Sequence, residues 1–137
     1  MERVVGQTRD VGFQIGVSRT LPHAPAEVWS FLTSPAGTAL WVGPDASLEP
    51  TKGSRYTTAD GTTGEVRSFH TDDRVRITWQ PESWPHDSTV QLVVRPAATG
   101  TSVRFHQERL ADAAERTRQR AHWRGVLDAI EAALAGR

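Results

Sequence analysis

The sequence predicts an α+β fold in which an antiparallel sheet packs against one long C-terminal helix. Through much of residues 45–108, apolar residues recur at every second position, which is typical of strands. Turn-forming stretches such as DG at 60–61 and AATG at 97–100 separate these segments at hairpin spacing, so neighbouring strands should run antiparallel. The last 25 or so residues instead repeat their apolar side chains at helical spacing. The predicted element order is β-α-α-β6-α.

The first strand and two short helices precede the sheet segment. Residues 12–20 alternate Phe13, Ile15 and Val17 with polar or small residues, which predicts a half-buried strand. Pro25 marks the start of one helix and Ser34, followed by Pro35, marks the start of a second. Because almost no linker separates these two helices, we expect a bent helical pair.

Six further strands are predicted between the helical pair and the last helix. They are the stretches DASLEP, GSRYTTA, TTGEVRSFH, RVRITWQ, TVQLVVR and TSVRFHQERL. Alternation groups Trp79 with Val75 and Ile77, and it groups Gln107 with Val103 and Phe105. In the third stretch, alternation places Phe69 on the face opposite Val66. His106 and Glu108 should lie on the face opposite Phe105.

The final helix is predicted from Asp112 to Leu134, about 35 Å at 1.5 Å per residue. Its second half is strongly apolar, whereas the inner face becomes polar toward Thr117 and Gln119. Trp123 and Gly125 lie where the two halves meet, so the helix could leave the sheet there and cover a cavity. Gly125 either permits close approach of a strand or is a tolerated defect.

Composition predicts a single soluble domain over residues 1–137, with residues 1–10 as a flexible N-terminus. The 16 Lys and Arg residues balance 16 Asp and Glu residues, so the net charge gives no field for nucleic acid. No apolar run approaches the ~20 residues of a membrane span, and no secretory signal is evident. Together with the absence of cysteine, these features predict a cytoplasmic protein without disulfides or membrane insertion.

No catalytic, cofactor or metal site is assigned from motifs. The five histidines are scattered without metal-binding spacing. The sequence also lacks the glycine-rich phosphate and dinucleotide loops and the serine-hydrolase elbow. Trp84 lies between prolines in the loop PESWPHDS, where it could act as a lid or partner contact or fold onto its own loop. His86 and Asp87, in the same loop, could form a proton-handling pair, but adjacent loop residues are expected to face solvent.

The order of these segments resembles the helix-grip fold of the START and birch-pollen-allergen superfamily, SRPBCC. The closest resemblance is to its branch of heat-shock-protein-90 ATPase activator homologues. It is carried by APAEVWSFLTSP followed by Trp41, Gly53 and Tyr56, GEV at 64–66, RVRITW at 74–79, GTSVRFHQERL at 100–110 and residues 123–127. The resemblance implies a hydrophobic ligand cavity between sheet and last helix. It also implies that Gln107 stands where family members often carry histidine.

The leading functional hypothesis is the binding of a small hydrophobic molecule, such as a lipid, a polyketide-like compound or an aromatic compound. The residues expected to line its site are Trp41, Tyr56, Trp79, Phe105, Gln107, Trp123 and Leu127. For Tyr56 and Gln107, hydrogen bonds within the protein are the alternative, since buried polar groups need partners. One alternative function is a polyketide cyclase or dehydratase-like enzyme, and another is a chaperone-associated interaction protein. The oligomeric state, monomer or homodimer, is left open.

Overall fold

The computed structural model describes residues 7–8 and 12–137. One sheet has the strand order β1-β2-β7-β6-β5-β4-β3, and every neighbouring pair is antiparallel. The strands are β1 (Gln7–Thr8), β2 (Gly12–Leu21), β3 (Arg55–Thr57), β4 (Thr63–His70), β5 (Arg74–Trp79), β6 (Ser88–Ala97) and β7 (Gly100–Leu110). The helices are α1 (Pro25–Leu32), α2 (Pro35–Trp41) and α3 (Ala113–Ala135).

The predicted fold class is confirmed, and the count of seven strands agrees, but one strand was placed wrongly. Residues 45–50 form no strand, because Gly43 and Asp45 adopt positive φ angles of 152° and 61° and turn the chain. The seventh strand is β1, which pairs with β2. A flexible N-terminus is predicted over residues 1–10, of which only residues 7 and 8 are described. The rest of this prediction lies outside the described residues.

A bulge in β4 reverses the predicted orientation of one aromatic residue. The register with β5 shifts between Val66 and Ser68, so that Phe69 pairs with Val75. An extra residue in one strand moves the following side chains to the other face. Phe69 consequently packs on the inner face, where its ring meets the edge of Trp29 at a centroid distance of 5.7 Å.

The two short helices form the expected bent pair. Ser34 caps α2 by accepting a hydrogen bond from the backbone N–H of Gly37 at 3.2 Å. A Cβ at Gly37 would lie only 1.9 Å from the carbonyl oxygen of Phe31, so this glycine allows the helices to pack directly together. Trp41 ends α2, and its indole Nε1 donates to the carbonyl of Leu32 at 2.9 Å.

Helix α3 begins at a reciprocal cap that is similar to a capping box. The Asp112 side chain accepts from the N–H of Glu115 at 2.7 Å, and the Glu115 carboxylate accepts from the N–H of Ala111 at 3.0 Å. The helix is followed by Gly136 as its C-cap, close to the end predicted at Leu134. None of the three helices within the described residues is long and apolar enough to span a membrane.

Helix α3 packs most extensively against β2 and less extensively against β7. Opposite β5, aromatic side chains occupy the space between helix and sheet, with the rings of Trp79 and Trp123 5.9 Å apart. Gly125 contributes nothing to close packing, because a Cβ there would meet no atom within 4 Å. Of the two interpretations of Gly125, the structure supports a tolerated defect on the exposed side of α3.

Candidate functional site

Five rings from five parts of the chain meet between the sheet and α3. This aromatic cluster consists of Trp41 of α2, Trp79 of β5, Phe105 of β7, Trp123 of α3 and Trp84 of the loop after β5. Phe105 stacks on Trp123 with a centroid distance of 4.8 Å and an interplanar angle of 18°. Trp41 lies 5.8 Å from Phe105, and Trp84 meets the edge of Trp79 at 5.5 Å. Strand alternation and helical spacing direct the four rings outside the loop inward.

A chain of hydrogen bonds runs through the cluster. Trp123 Nε1 donates to Gln107 Oε1 at 2.8 Å, and Gln107 Nε2 donates to Ser88 Oγ at 3.0 Å. Ser88 Oγ in turn donates to the carbonyl of Trp79 at 2.7 Å. Because an indole N–H can only donate, it fixes the orientation of the Gln107 amide. The chain therefore ties α3 to β7, β6 and β5.

The remaining predicted residues are also satisfied within the protein. The Tyr56 hydroxyl donates to the Thr78 carbonyl at 2.6 Å, and burial raises the pKa of Tyr56 far above its ordinary value. Trp79 Nε1 donates to the carbonyl of Val42 at 2.9 Å. Leu127 is fully buried one helical turn after Trp123. These contacts match the protein-internal alternative for the polar residues.

All seven predicted site residues are buried. Trp41, Trp79, Phe105, Gln107 and Trp123 are joined in one contact network. Tyr56 reaches only the backbone next to Trp79, and Leu127 extends the network along α3. In this conformation the rings contact one another, so a ligand could reach them only if part of the cluster moved. Their role in lining a ligand site stays a prediction.

The loop Pro81–Asp87, here called the Trp84 loop, covers one side of the cluster. Trp84 is half-buried, and its ring stacks on His86 at 5.0 Å. His86 Nε2 lies 2.9 Å from the carboxylate of Glu115, and Gln80 Nε2 donates to the Trp84 carbonyl at 2.8 Å. The loop is therefore attached to the first turn of α3.

His86 is placed to carry a proton. Its Nδ1 faces the carbonyl oxygen of Asp87 at 2.7 Å while Nε2 faces Glu115, so both ring nitrogens meet acceptors. Burial opposes the charged ring, but the hydrogen bonds to Asp87 and Glu115 outweigh it and raise the pKa of His86. The expectation that His86 faces solvent is wrong. Its partner Glu115 lies 29 residues away in the sequence, so no local sequence pattern predicts this pair.

His122 completes the ring of contacts around Trp79. Although the residue as a whole is exposed on α3, its imidazole lies 5.7 Å from the Trp79 ring and 4.8 Å from the Trp123 ring. Desolvation by these rings lowers the pKa of His122. The two histidines at this site are therefore shifted in opposite directions.

The outer face of the sheet is polar, as alternation predicts for His106 and Glu108. His106 Nε2 lies 2.8 Å from Gln14 Oε1, and Arg76 approaches Glu108 at 3.4 Å. Two open clefts on this face have volumes of about 250 and 440 Å³ and share Arg67, Thr78 and Asp87 among their lining residues. Such charged, open clefts do not suit a hydrophobic molecule. Within the described part of the chain, no group of three or more His, Asp or Glu residues could hold a metal ion.

Solved structures with this fold come from distant relatives. Protein MLL2253 from Mesorhizobium loti is 23% identical, with 89% of this chain and 96% of that chain covered and a TM-score of 0.74. CalU16 from Micromonospora echinospora is 20% identical over 91% and 77% of the two chains, with a TM-score of 0.77. An HSP90 activator from Plasmodium falciparum is 17% identical over 90% and 97%, with a TM-score of 0.74. At these identities the likeness shows the shared fold.

A search of curated proteins gave no match. The family model described as "Activator of Hsp90 ATPase homolog 1-like protein" matches residues 22–135, a range that begins before α1 and includes all of α3. The resemblance in the sequence, the strand order of the sheet and this match all agree. The chain belongs to the family of Activator of Hsp90 ATPase homolog 1-like proteins.

Proposed function

We propose that the protein binds a small hydrophobic molecule at the aromatic cluster, beneath the Trp84 loop. The observation that carries this proposal is the way the gap opposite β5 is filled. Along β2, the backbones of helix and strand pack close together. Opposite β5, rings from β5, β7, α3 and a loop occupy the space between helix and sheet instead. A loop can leave such a gap far more easily than a strand can.

The Trp84 loop is the part of the cluster best suited to move. Trp123 and Gln107 are fully buried and linked by hydrogen bonds, whereas Trp84 is half-buried and its indole only rests against Trp79 and His86. Loops over a rigid scaffold are the usual moving parts of binding sites. A ligand would replace the Trp84 ring against Trp79 and come to lie near Trp123.

The expected affinity is moderate. A ligand that buries ~300 Å² of apolar surface gains about 7 kcal/mol at ~25 cal/mol per Å². Losses of translational and rotational freedom, and the cost of displacing the loop, offset part of this gain. Because a net gain of about 4–6 kcal/mol corresponds to dissociation constants of roughly 0.05–1 mM, we expect values in this range for simple aromatic molecules without a charged anchor.

Titration with N-phenyl-1-naphthylamine, a neutral probe that fluoresces in apolar surroundings, tests the proposal. The wild-type protein should show saturable binding at a ratio of one probe per chain. Trp84→Ala should bind at least as tightly, because the competing ring is gone. Leu48→Ala, a truncation in the loop before β3, is the control and should behave as wild type. Native mass spectrometry of freshly purified protein adds a search for a retained molecule.

Lack of saturable binding in both the wild type and Trp84→Ala, with both proteins folded, would overturn the proposal.

An enzymatic function has less support at this site. The Tyr56 hydroxyl already donates to the Thr78 carbonyl, and its raised pKa disfavours a phenolate base. The chaperone alternative has only the shared fold, which is a weak guide to function.

A further inference from the structure

We propose that Gln119 Oε1 is the polar anchor of the bound molecule, and that this molecule is a neutral aromatic compound with one hydrogen-bond donor. The inference rests on the proposed function and specifies its ligand. It gives a specific role to a residue that the sequence pattern places only on the polar part of the inner face of α3.

The side-chain oxygen of Gln119 is buried without a partner. Among all buried side-chain nitrogen and oxygen atoms of the described residues, it alone makes no hydrogen bond. Buried polar atoms in native proteins are nearly always paired, and each exception calls for an explanation. An acceptor held away from water at a binding site is ready to receive a donor from a ligand.

Helical spacing places Gln119 beside the cluster. It lies four residues after Glu115 and four before Trp123, and both of these residues are buried on the inner face of α3. Residues four apart on a helix are neighbours on one face. Gln119 therefore lies between the ion pair that holds the Trp84 loop and the ring that stacks on Phe105. A molecule bound beneath the loop would therefore lie beside the helix face that carries this residue.

The donors on the neighbouring side chains are already committed. Trp123 Nε1 donates to Gln107, and Trp79 Nε1 donates to the carbonyl of Val42. The two nitrogens of His86 face Asp87 and Glu115. None of these groups can turn to Gln119 without leaving another buried group unpaired. These three side chains therefore leave the Gln119 oxygen free to accept a donor from the bound molecule.

The surroundings restrict the chemistry of that molecule. Trp79 and Trp123 provide flat apolar contact surfaces, which favour an aromatic ligand. The Gln119 oxygen and the Glu115 carboxylate one turn away both carry negative or partly negative charge, which disfavours a carboxylate or sulfonate. One acceptor accommodates one hydroxyl or amino hydrogen. A phenol or an aryl amine can donate a hydrogen bond to this oxygen, whereas the corresponding ether cannot.

The test compares 2-naphthol with 2-methoxynaphthalene, which differ only in the donor hydrogen and a methyl group. Wild-type protein should bind the naphthol about fivefold more tightly, the worth of one typical hydrogen bond. Gln119→Leu should abolish this preference, bind the ether unchanged, and unfold at a higher temperature, because the unpaired acceptor is removed. Gln91→Leu makes the same change on the outer face of the sheet and should keep the preference. Gln119→Met serves if the leucine variant does not fold.

The test distinguishes failure of the Gln119 anchor from failure of the proposed ligand site. If both compounds bind the wild type equally, or if the Gln119 variants keep the preference for naphthol, the anchor is overturned and the ligand site stands. If neither compound binds folded wild-type protein, the anchor falls together with the proposed function.

Discussion

At the scale of single residues, Gln107 occupies the position at which the family resemblance implies a histidine in many members. Its amide accepts from Trp123 and donates to Ser88, so one side chain joins the helix to two strands. A neutral histidine has one donor and one acceptor nitrogen and could in principle make the same pair of contacts. The amide keeps this connection without a group that titrates near neutral pH.

Gln107→Leu should therefore destabilise the protein by about 2–4 kcal/mol. The Trp123 indole and the Ser88 hydroxyl would each lose a buried partner, and each unsatisfied group costs about 1–3 kcal/mol. Chemical denaturation of the variant beside Gln91→Leu provides the measurement. Gln91 is half-buried on the outer face, so its substitution should change stability by less than about 1 kcal/mol. Equal effects of the two substitutions would contradict the role given to Gln107.

At the scale of helices, two glycines of similar appearance in the sequence have opposite roles. Gly37 lies against α1, where a Cβ would meet backbone atoms at 1.9 Å. Gly125 lies on the open side of α3, where a Cβ would meet nothing within 4 Å. The sequence alone allows both interpretations for Gly125, because close approach depends on which face of the helix meets another element.

Gly125→Ala should accordingly stabilise the protein by roughly 1 kcal/mol, the difference in helix propensity between the two residues. Gly37→Ala should destabilise it by about 3 kcal/mol, because the methyl group forces α1 and α2 apart. Thermal unfolding of the two variants gives the comparison. A destabilised Gly125→Ala protein would show that α3 has a neighbour at this position.

The attachment of the Trp84 loop to α3 depends on pH. The raised pKa of His86 in the folded protein means that the His86–Glu115 contact contributes fully below the unfolded value, about 6.5. The contribution is lost as the pH rises through the higher folded value. We expect hydrogen exchange in residues 81–87, corrected for intrinsic rates, to show greater protection at about pH 6 than at about pH 8.

His86→Gln should remove this pH dependence, since the substituted side chain does not titrate. His23 pairs with Glu27 within α1 and its entry turn, far from the loop in sequence, so His23→Gln is the matched control and should leave the dependence intact. Protection of the loop that is the same at both pH values in the wild type would contradict the proposed role of this ion pair.

At the scale of the whole molecule, the sheet and α3 are packed in two different ways. Along β2 the helix lies close to the strand, and the buried apolar residues Val126, Ile130 and Leu134 line its inner face. Opposite β5, large rings and one hydrogen-bonded chain hold the helix away from the sheet. This asymmetry puts the Trp84 loop and the proposed ligand site on the same side of the molecule.

The sequence by itself determined the fold class, the start of α2 at Ser34, the long final helix and the inward faces of β5 and β7. These depend on spacing within one element and on residues with strong local preferences, such as Ser34, Asp112 and Gly136. Alternation, helical spacing and the family resemblance together also selected five buried residues that meet at the aromatic cluster. These are Trp41, Trp79, Phe105, Gln107 and Trp123.

Only the tertiary structure decided the contacts that join distant segments. A bulge turned Phe69 inward, two positive φ angles removed the strand expected at residues 45–50, and chain folding brought His86 to Glu115 and left the Gln119 oxygen unpaired. None of these has a local pattern, because register, loop path and hydrogen-bond partners are set by the packing of elements far apart in the chain.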